Sequence, residues 1–139
     1  MVRSVSEKKR VILVDDEPAA ITNLRAVLDG FDALEVVAEV GDGETAIRKI
    51  IELRPDIVFL DIEMPGVNGF EVLRQIRHHE STHLLPVVIL TTSDEPSDVC
   101  QGYDLGSNSY LRKPADINRF SKMVTEIGQY WMGLNTAPP

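Results

Sequence analysis

At 139 residues and 15.5 kDa the chain is sized for one domain, which would bury roughly two-thirds of its unfolded surface. Fourteen basic residues against 22 acidic ones give a net charge of -8 and a pI near 4.8, arguing against broad contact with a nucleic-acid backbone. The lone Cys100 rules out an intrachain disulfide, residues 1–10 lack the apolar stretch of a signal peptide, and no apolar run approaches a membrane span, so the expected location is the cytoplasm.

Residues 11–14 are apolar without alternation, which marks a strand buried on both faces, and they end in Asp15-Asp16-Glu17. Behind Pro18, a residue suited to a first helical turn, Ile21, Leu24 and Leu28 make a helical stripe. Residues 36–40 form the next apolar run, and after the turn Gly41-Asp42-Gly43 a second stripe carries Ala46, Ile47, Ile50 and Ile51. A third strand, residues 57–60, ends in Asp61; a third stripe holds Phe70, Leu73 and Ile76 or Arg77. Residues 86–90 and the weaker 109–111 supply two more strands, separated by a thin stripe of Val99, Tyr103 and Gly106. Residues 116–132 predict a last helix with Ile117, Phe120, Val124, Ile127 and Trp131 on one face, widened by Met123 and Tyr130. This rhythm predicts an α/β domain over residues 8–132: a parallel five-stranded sheet with helices on both faces. Residues 133–139 read as a loosely ordered tail.

Ligands bind beyond the carboxyl ends of strands in open parallel sheets. Two strand ends here deliver Asp15, Asp16 and Asp61 to one crevice. Carboxylates gathered so closely are costly unless one takes a proton or a cation neutralises them, and an all-oxygen set suits a hard ion such as Mg2+. The fourth strand adds Thr91, Thr92 and Ser93 to the same edge, and the fifth adds Lys113. Hydroxyl, ammonium and metal together complement a phosphoryl group, which leaves Asp61 as an oxygen nucleophile able to form an acyl phosphate. The bland alternative is that these are solvated turn residues that never meet.

With Val14-Asp15-Asp16-Glu17-Pro18, Leu60-Asp61-Ile62-Glu63-Met64-Pro65-Gly66 with Gly69, Leu90-Thr91-Thr92-Ser93 and Tyr110-Leu111-Arg112-Lys113-Pro114 in this order, the chain resembles the receiver domains of two-component response regulators. The resemblance implies a flavodoxin-like doubly wound fold with strand order 2-1-3-4-5. It implies that Asp61 accepts phosphate from a sensor histidine kinase, and that Asp15, Asp16, Asp61 and the backbone carbonyl of Glu63 hold Mg2+. Thr91 and Lys113 would contact the phosphoryl oxygens, Tyr110 would be the aromatic switch that follows Thr91, and the Lys113–Pro114 bond would be cis. The domain would be a signalling receiver rather than an enzyme, catalysing only its own phosphorylation and dephosphorylation. Thr92, where the family commonly has a small residue, departs from the pattern and narrows access to the site. Glu63 and Ser93 occupy positions that tune phosphate lifetime.

No effector domain is visible after residue 132, so a stand-alone receiver is expected; the alternative is a module from a larger regulator or hybrid kinase. Ser107-Asn108-Ser109-Tyr110 and Gln129-Tyr130-Trp131 are similar to single-domain regulators paired with bacterial phytochrome kinases. The broad last stripe fits a homodimer or partner face, and equally a core face with a frayed end. His78, His79 and His83 read as a solvated helix end, Cys100 as a half-buried small residue, and Lys8-Lys9-Arg10 as a solvated run. Two rival classes fit poorly. A haloacid dehalogenase-like phosphohydrolase places its Asp on an early strand with a second Asp two residues on, where this chain has Glu63. A dinucleotide-binding domain needs a glycine-rich loop where this chain has Asp15-Asp16-Glu17-Pro18.

Overall fold

Apolar runs too short and too uniform for amphipathic helices take the centre of the sheet. The computed structural model describes residues 8–138, with Met132 by its backbone alone. In chain order come β1 (Lys9–Val14), α1 (Pro18–Leu28), β2 (Leu34–Val40), α2 (Gly43–Leu53), β3 (Ile57–Leu60) and α3 (Gly69–His78). Then follow β4 (Val87–Thr91), α4 (Pro96–Asp104), β5 (Ser109–Arg112) and α5 (Ile117–Gln129), which runs into a π-helical turn at Tyr130–Leu134. The strands pair in parallel in the order β2-β1-β3-β4-β5, the doubly wound arrangement expected.

Because side chains alternate across a strand, the sheet supports two cores. Ile12, Val14, Val58, Leu60 and Ile89 face α2 and α3, packing with Ala46, Ile50, Phe70, Leu73 and Ile76. Val11, Leu13, Phe59, Val88 and Leu90 face α1 and α5, packing with Leu24, Leu28, Phe120 and Val124. Val14 stands opposite Leu60 and Leu60 opposite Ile89, so β1, β3 and β4 end nearly level. That register brings residues distant in sequence to one rim.

Local chemistry fixes where the helices begin. Pro18 opens α1; Asp42 accepts from the Thr45 N–H at 2.8 Å, Asn68 from Glu71 at 3.1 Å, and Asp116 from Asn118 and Arg119 at 2.8 and 3.1 Å.

Several expectations need correcting. Among the described residues no peptide bond is cis, so Lys113–Pro114 is trans. Trans is the lower form for such a bond by about 0.5–1 kcal/mol, and the lysine reaches its partners with the bond trans. Cys100 is exposed and Tyr103 is 51% exposed, because α4 meets the sheet through Gly102 instead. Ile117, expected in the last buried stripe, is 55% exposed at the first turn of α5. Arg10 does not belong to a solvated run: it lies in β1 and its guanidinium donates to the carbonyls of Leu53 and Arg54, tying the strand to the end of α2. The expected tail starts inside helix, since Gly133 and Leu134 complete the π-helical turn and the Asn135 N–H donates to Tyr130 O at 2.7 Å. Residues 1–7 of the basic N-terminal stretch, and Pro139, lie outside the described residues.

Candidate functional site

The strand ends aligned by the register carry the acids. Asp15 and Asp61 continue the ladder past β1 and β3: the Asp15 N–H donates to Val40 O at 3.0 Å and the Asp61 N–H to Val14 O at 2.9 Å. Each then folds its side chain onto the backbone two residues ahead, Asp15 Oδ1 accepting from Glu17 at 3.0 Å and Asp61 Oδ1 from Glu63 at 3.1 Å. One oxygen of each carboxylate is thereby fixed and the other left facing the crevice. Asp15 and Asp61 are buried, Asp16 is exposed, and one ligand oxygen from each lies within 4.8 Å of the others.

Lys113, just past β5, is held by its backbone N–H on Thr91 O at 2.6 Å. Its Nζ donates to Asp15 Oδ2 and stands 3.6 Å from Asp61 Oδ2. Burial disfavours the Lys113 ammonium, but the hydrogen bond to Asp15 and the charges of Asp61 and Asp15 outweigh it and hold the group above its usual value. Burial pushes the Asp61 carboxyl up, with Asp15 adding to the effect, against the pull of the Glu63 N–H, Lys113 and Thr91. Among the described residues no buried side-chain polar atom lacks a partner, so the site is internally compensated.

Asp16, Glu17, Pro18, Asp61, Glu63, Thr92 and Lys113 line the crevice. Thr91, the last residue of β4, is fully buried beside Thr92. Two glycines let neighbouring elements close on this region. A Cβ on Gly69 would meet the Asp61 carbonyl oxygen at 2.3 Å, so only glycine lets α3 start against the end of β3. A Cβ on Gly102 would meet Ile89 Cδ1 at 2.9 Å and the Tyr110 ring at 3.1 Å. Tyr110 packs against the α2/α3 core and donates its hydroxyl to Ser93 O at 3.0 Å, while Ser93 Oγ donates to Asp98 at 2.6 Å near the start of α4.

Asp15, Asp16, Asp61, Thr91 and Lys113 thus come together as anticipated, and Tyr110 lies one loop away. Reading the sequence placed Glu63 at a position that tunes phosphate lifetime but missed the partners of its side chain, whose Oε1 accepts from Thr91 Oγ1 at 3.2 Å and from Thr92 Oγ1 at 3.0 Å. It also missed Gly69 and Gly102 as spacers, although a glycine at a helix start beside a strand-end acid was a readable signal for the first. His78, His79 and His83 stay exposed and join no candidate metal cluster among the described residues.

The model for the response regulator receiver domain matches residues 11–125. The chain belongs to that family. It is 35% identical over 118 residues to the protein PilH of Pseudomonas aeruginosa, covering 85% of this chain and 96% of that protein. It is 38% identical over 109 residues to the DNA-binding response regulator MtrA of Mycolicibacterium smegmatis, of which it spans only 45%. The structure matches that of the phosphorylated cyanobacterial phytochrome response regulator RcpA with a TM-score of 0.86 and 32% identity, over 95% of this chain and 99% of that one. The Mn2+-bound form of response regulator Rcp1 matches with the same score at 31% identity, over 94% and 99% of the two chains. This receiver domain of a two-component response regulator is therefore a signalling module, and nothing supports the phosphohydrolase alternative. No described helix is long and apolar enough to cross a membrane.

Proposed function

We propose that this receiver is a single-domain response regulator that takes a phosphoryl group on Asp61 from a sensor histidine kinase and signals by a change of conformation. The observation that carries the reading is the Asp61 carboxylate, buried at the end of β3 with one oxygen fixed by the Glu63 N–H and the other facing Lys113. In the reaction an Asp61 oxygen forms a bond to phosphorus as the bond from phosphorus to the kinase histidine nitrogen breaks, the electron pair leaving with the imidazole. Lys113 offsets the charge on the phosphoryl oxygens and Thr91 donates its hydroxyl to one of them. Asp15, Asp16, Asp61 and the Glu63 backbone carbonyl would hold Mg2+, and the converging all-oxygen set of three aspartates fits a hard divalent ion. That ion supplies further neutralisation of the phosphoryl charge. Engagement of Thr91 by the new oxygens then biases Tyr110 and the face formed by α4, β5 and α5 towards a second arrangement. The reaction takes place in the cytoplasm.

A kinase of the phytochrome type is the proposed donor, supported by the likeness to RcpA and Rcp1 over nearly their whole length. The end of α5 is the proposed homodimer face. Tyr130 and Leu134 are 47% and 80% exposed there, beside a groove lined by Leu111, Met123, Ile127 and Trp131.

Incubation with acetyl phosphate and Mg2+ is expected to add one phosphoryl group, read by intact mass, and Asp61→Asn to abolish it; equal modification of the variant would overturn the assignment. Phosphotransfer profiling against the kinases of the source organism tests the donor, and transfer confined to kinases without a phytochrome sensor would overturn that part. Trp131→Ala is expected to lower self-association in sedimentation, and unchanged behaviour would overturn the dimer face.

A further inference from the structure

The Glu63 side chain crosses the mouth of the site from the loop after β3 to the end of β4. One of its carboxylate oxygens accepts two hydroxyls, Thr91 Oγ1 at 3.2 Å and Thr92 Oγ1 at 3.0 Å. A threonine hydroxyl has a single proton to donate. Directed at Glu63, that proton is withheld from the Asp61 side of Thr91, where a phosphoryl oxygen would need it. The carboxylate also places a negative charge on the wall of the crevice that the phosphoryl group must enter. One bond to a buried hydroxyl would hold an exposed glutamate poorly, because ordering its side chain costs rotamer entropy. Thr92 supplies the second point of attachment.

We infer that Glu63 and Thr92 form a latch that competes for the Thr91 hydroxyl proton until phosphorylation outcompetes it. Glu63 is a positioning residue here, acting through Thr91, and its side chain is distinct in this role from the backbone carbonyl assigned to Mg2+. The latch accounts for Thr92, the one residue of the site that departs from the family pattern, because its hydroxyl sets how firmly the resting state is kept. A threonine and a valine have nearly the same shape, so the hydroxyl can be removed alone.

The inference rests on the receiver reading of Asp61, and a double-mutant cycle on the full chain separates the two. Wild type, Thr92→Val, Glu63→Ala and the double variant are titrated with beryllofluoride, a mimic of the phosphoryl group, in the presence of Mg2+. Phosphorylation by acetyl phosphate is timed in parallel by intact mass. Thr92→Val is expected to raise beryllofluoride affinity by about 2- to 10-fold, the range for losing one competing hydrogen bond. In the Glu63→Ala background the same change is expected to have no effect, because its partner is already gone. Unchanged or weaker binding by Thr92→Val, or the same effect in both backgrounds, would overturn the latch while leaving Asp61 phosphorylation intact. Failure of the wild-type protein to bind beryllofluoride or to be modified would overturn the receiver reading itself. Thr92 is exposed and valine keeps its β-branch, so the fold survives the test.

Discussion

Replacing Lys113 with methionine removes an ammonium from between two buried carboxylates while keeping most of the side-chain volume. The Nζ stands 3.6 Å from Asp61 Oδ2 and hydrogen-bonds to Asp15 Oδ2. Opposite unit charges at the first separation attract by about 5 kcal/mol at an effective dielectric of about 20. The Lys113 and Asp61 side chains are only 9% and 7% exposed, so solvent screens little of this. Against it stands the desolvation of the ammonium, which the variant no longer bears. The expected net loss is about 3–5 kcal/mol, as for other buried pairs deprived of one partner, or on the order of 10 °C in unfolding midpoint. The pH dependence has a definite sign. Burial already raises the Asp61 carboxyl, and without Lys113 it rises further, so the folded state binds a proton more readily than the unfolded one. Stability missing at neutral pH therefore returns as the pH falls towards about 4. Millimolar Mg2+ is expected to narrow the deficit at neutral pH by supplying the missing charge. Thermal and urea unfolding of both proteins between about pH 4 and pH 8, with and without Mg2+, checks each part. A deficit that is absent at neutral pH, or equal at every pH, would refute the idea that Lys113 compensates the carboxylates.

Asp61→Asn is expected to raise stability in metal-free buffer by about 0.5–2 kcal/mol at neutral pH. A carboxyl whose folded value lies above its ordinary 3.8 penalises the fold above that folded value and not below 3.8, so the gain must vanish in acid. Urea titrations at the two extremes of pH decide it. Gly69→Ala sets a methyl group 2.3 Å from the Asp61 carbonyl oxygen, backbone that cannot step aside. We expect a loss of about 1–3 kcal/mol in equilibrium unfolding and slower modification by acetyl phosphate. Gly102→Ala presses on the ends of two side chains, Ile89 and Tyr110, and is expected to cost less than about 1.5 kcal/mol. It should shift the Tyr110 ring off its Ser93 contact, visible in the ring resonances by NMR.

Much of the architecture was legible because the physics that places it is short-ranged. Residues 57–60 have no polar member, so the strand had to be covered on both faces, and an acid directly after it had to sit on the rim. Asp15 followed by the same logic. Lys113 was readable only in combination, since a lysine in a loop carries no signal until a strand order brings it across the sheet to Asp15, 98 residues away in sequence. Glu63 was recognised for its backbone carbonyl and as a lifetime-tuning position, but not for its side-chain partners, because its bond to Thr91 depends on a rotamer that crosses between two loops. The thin stripe on α4 misled for a different reason. The helix makes its closest approach through Gly102, a residue with no side chain for a hydropathy pattern to register, and Tyr103 and Cys100 turn outward as a result. Arg10 was hidden because its partners are carbonyl oxygens at the end of a helix. The Lys113–Pro114 bond turned on an isomer preference of about 0.5–1 kcal/mol, too small for a motif to decide.

The slight seating of α4 has an energetic consequence. Among its described residues only Gly102 is buried, whereas α3 buries Phe70, Val72, Leu73 and Ile76. Lifting or turning α4 therefore exposes less apolar surface than moving α3 would, and its opening free energy belongs towards the low end of the range across the molecule. Under the proposed phosphorylation of Asp61, a charge added at the rim works against less packing in moving α4 than in moving α3. The sheet and α3 form the stiffer chassis, and α4 is the lever more cheaply thrown.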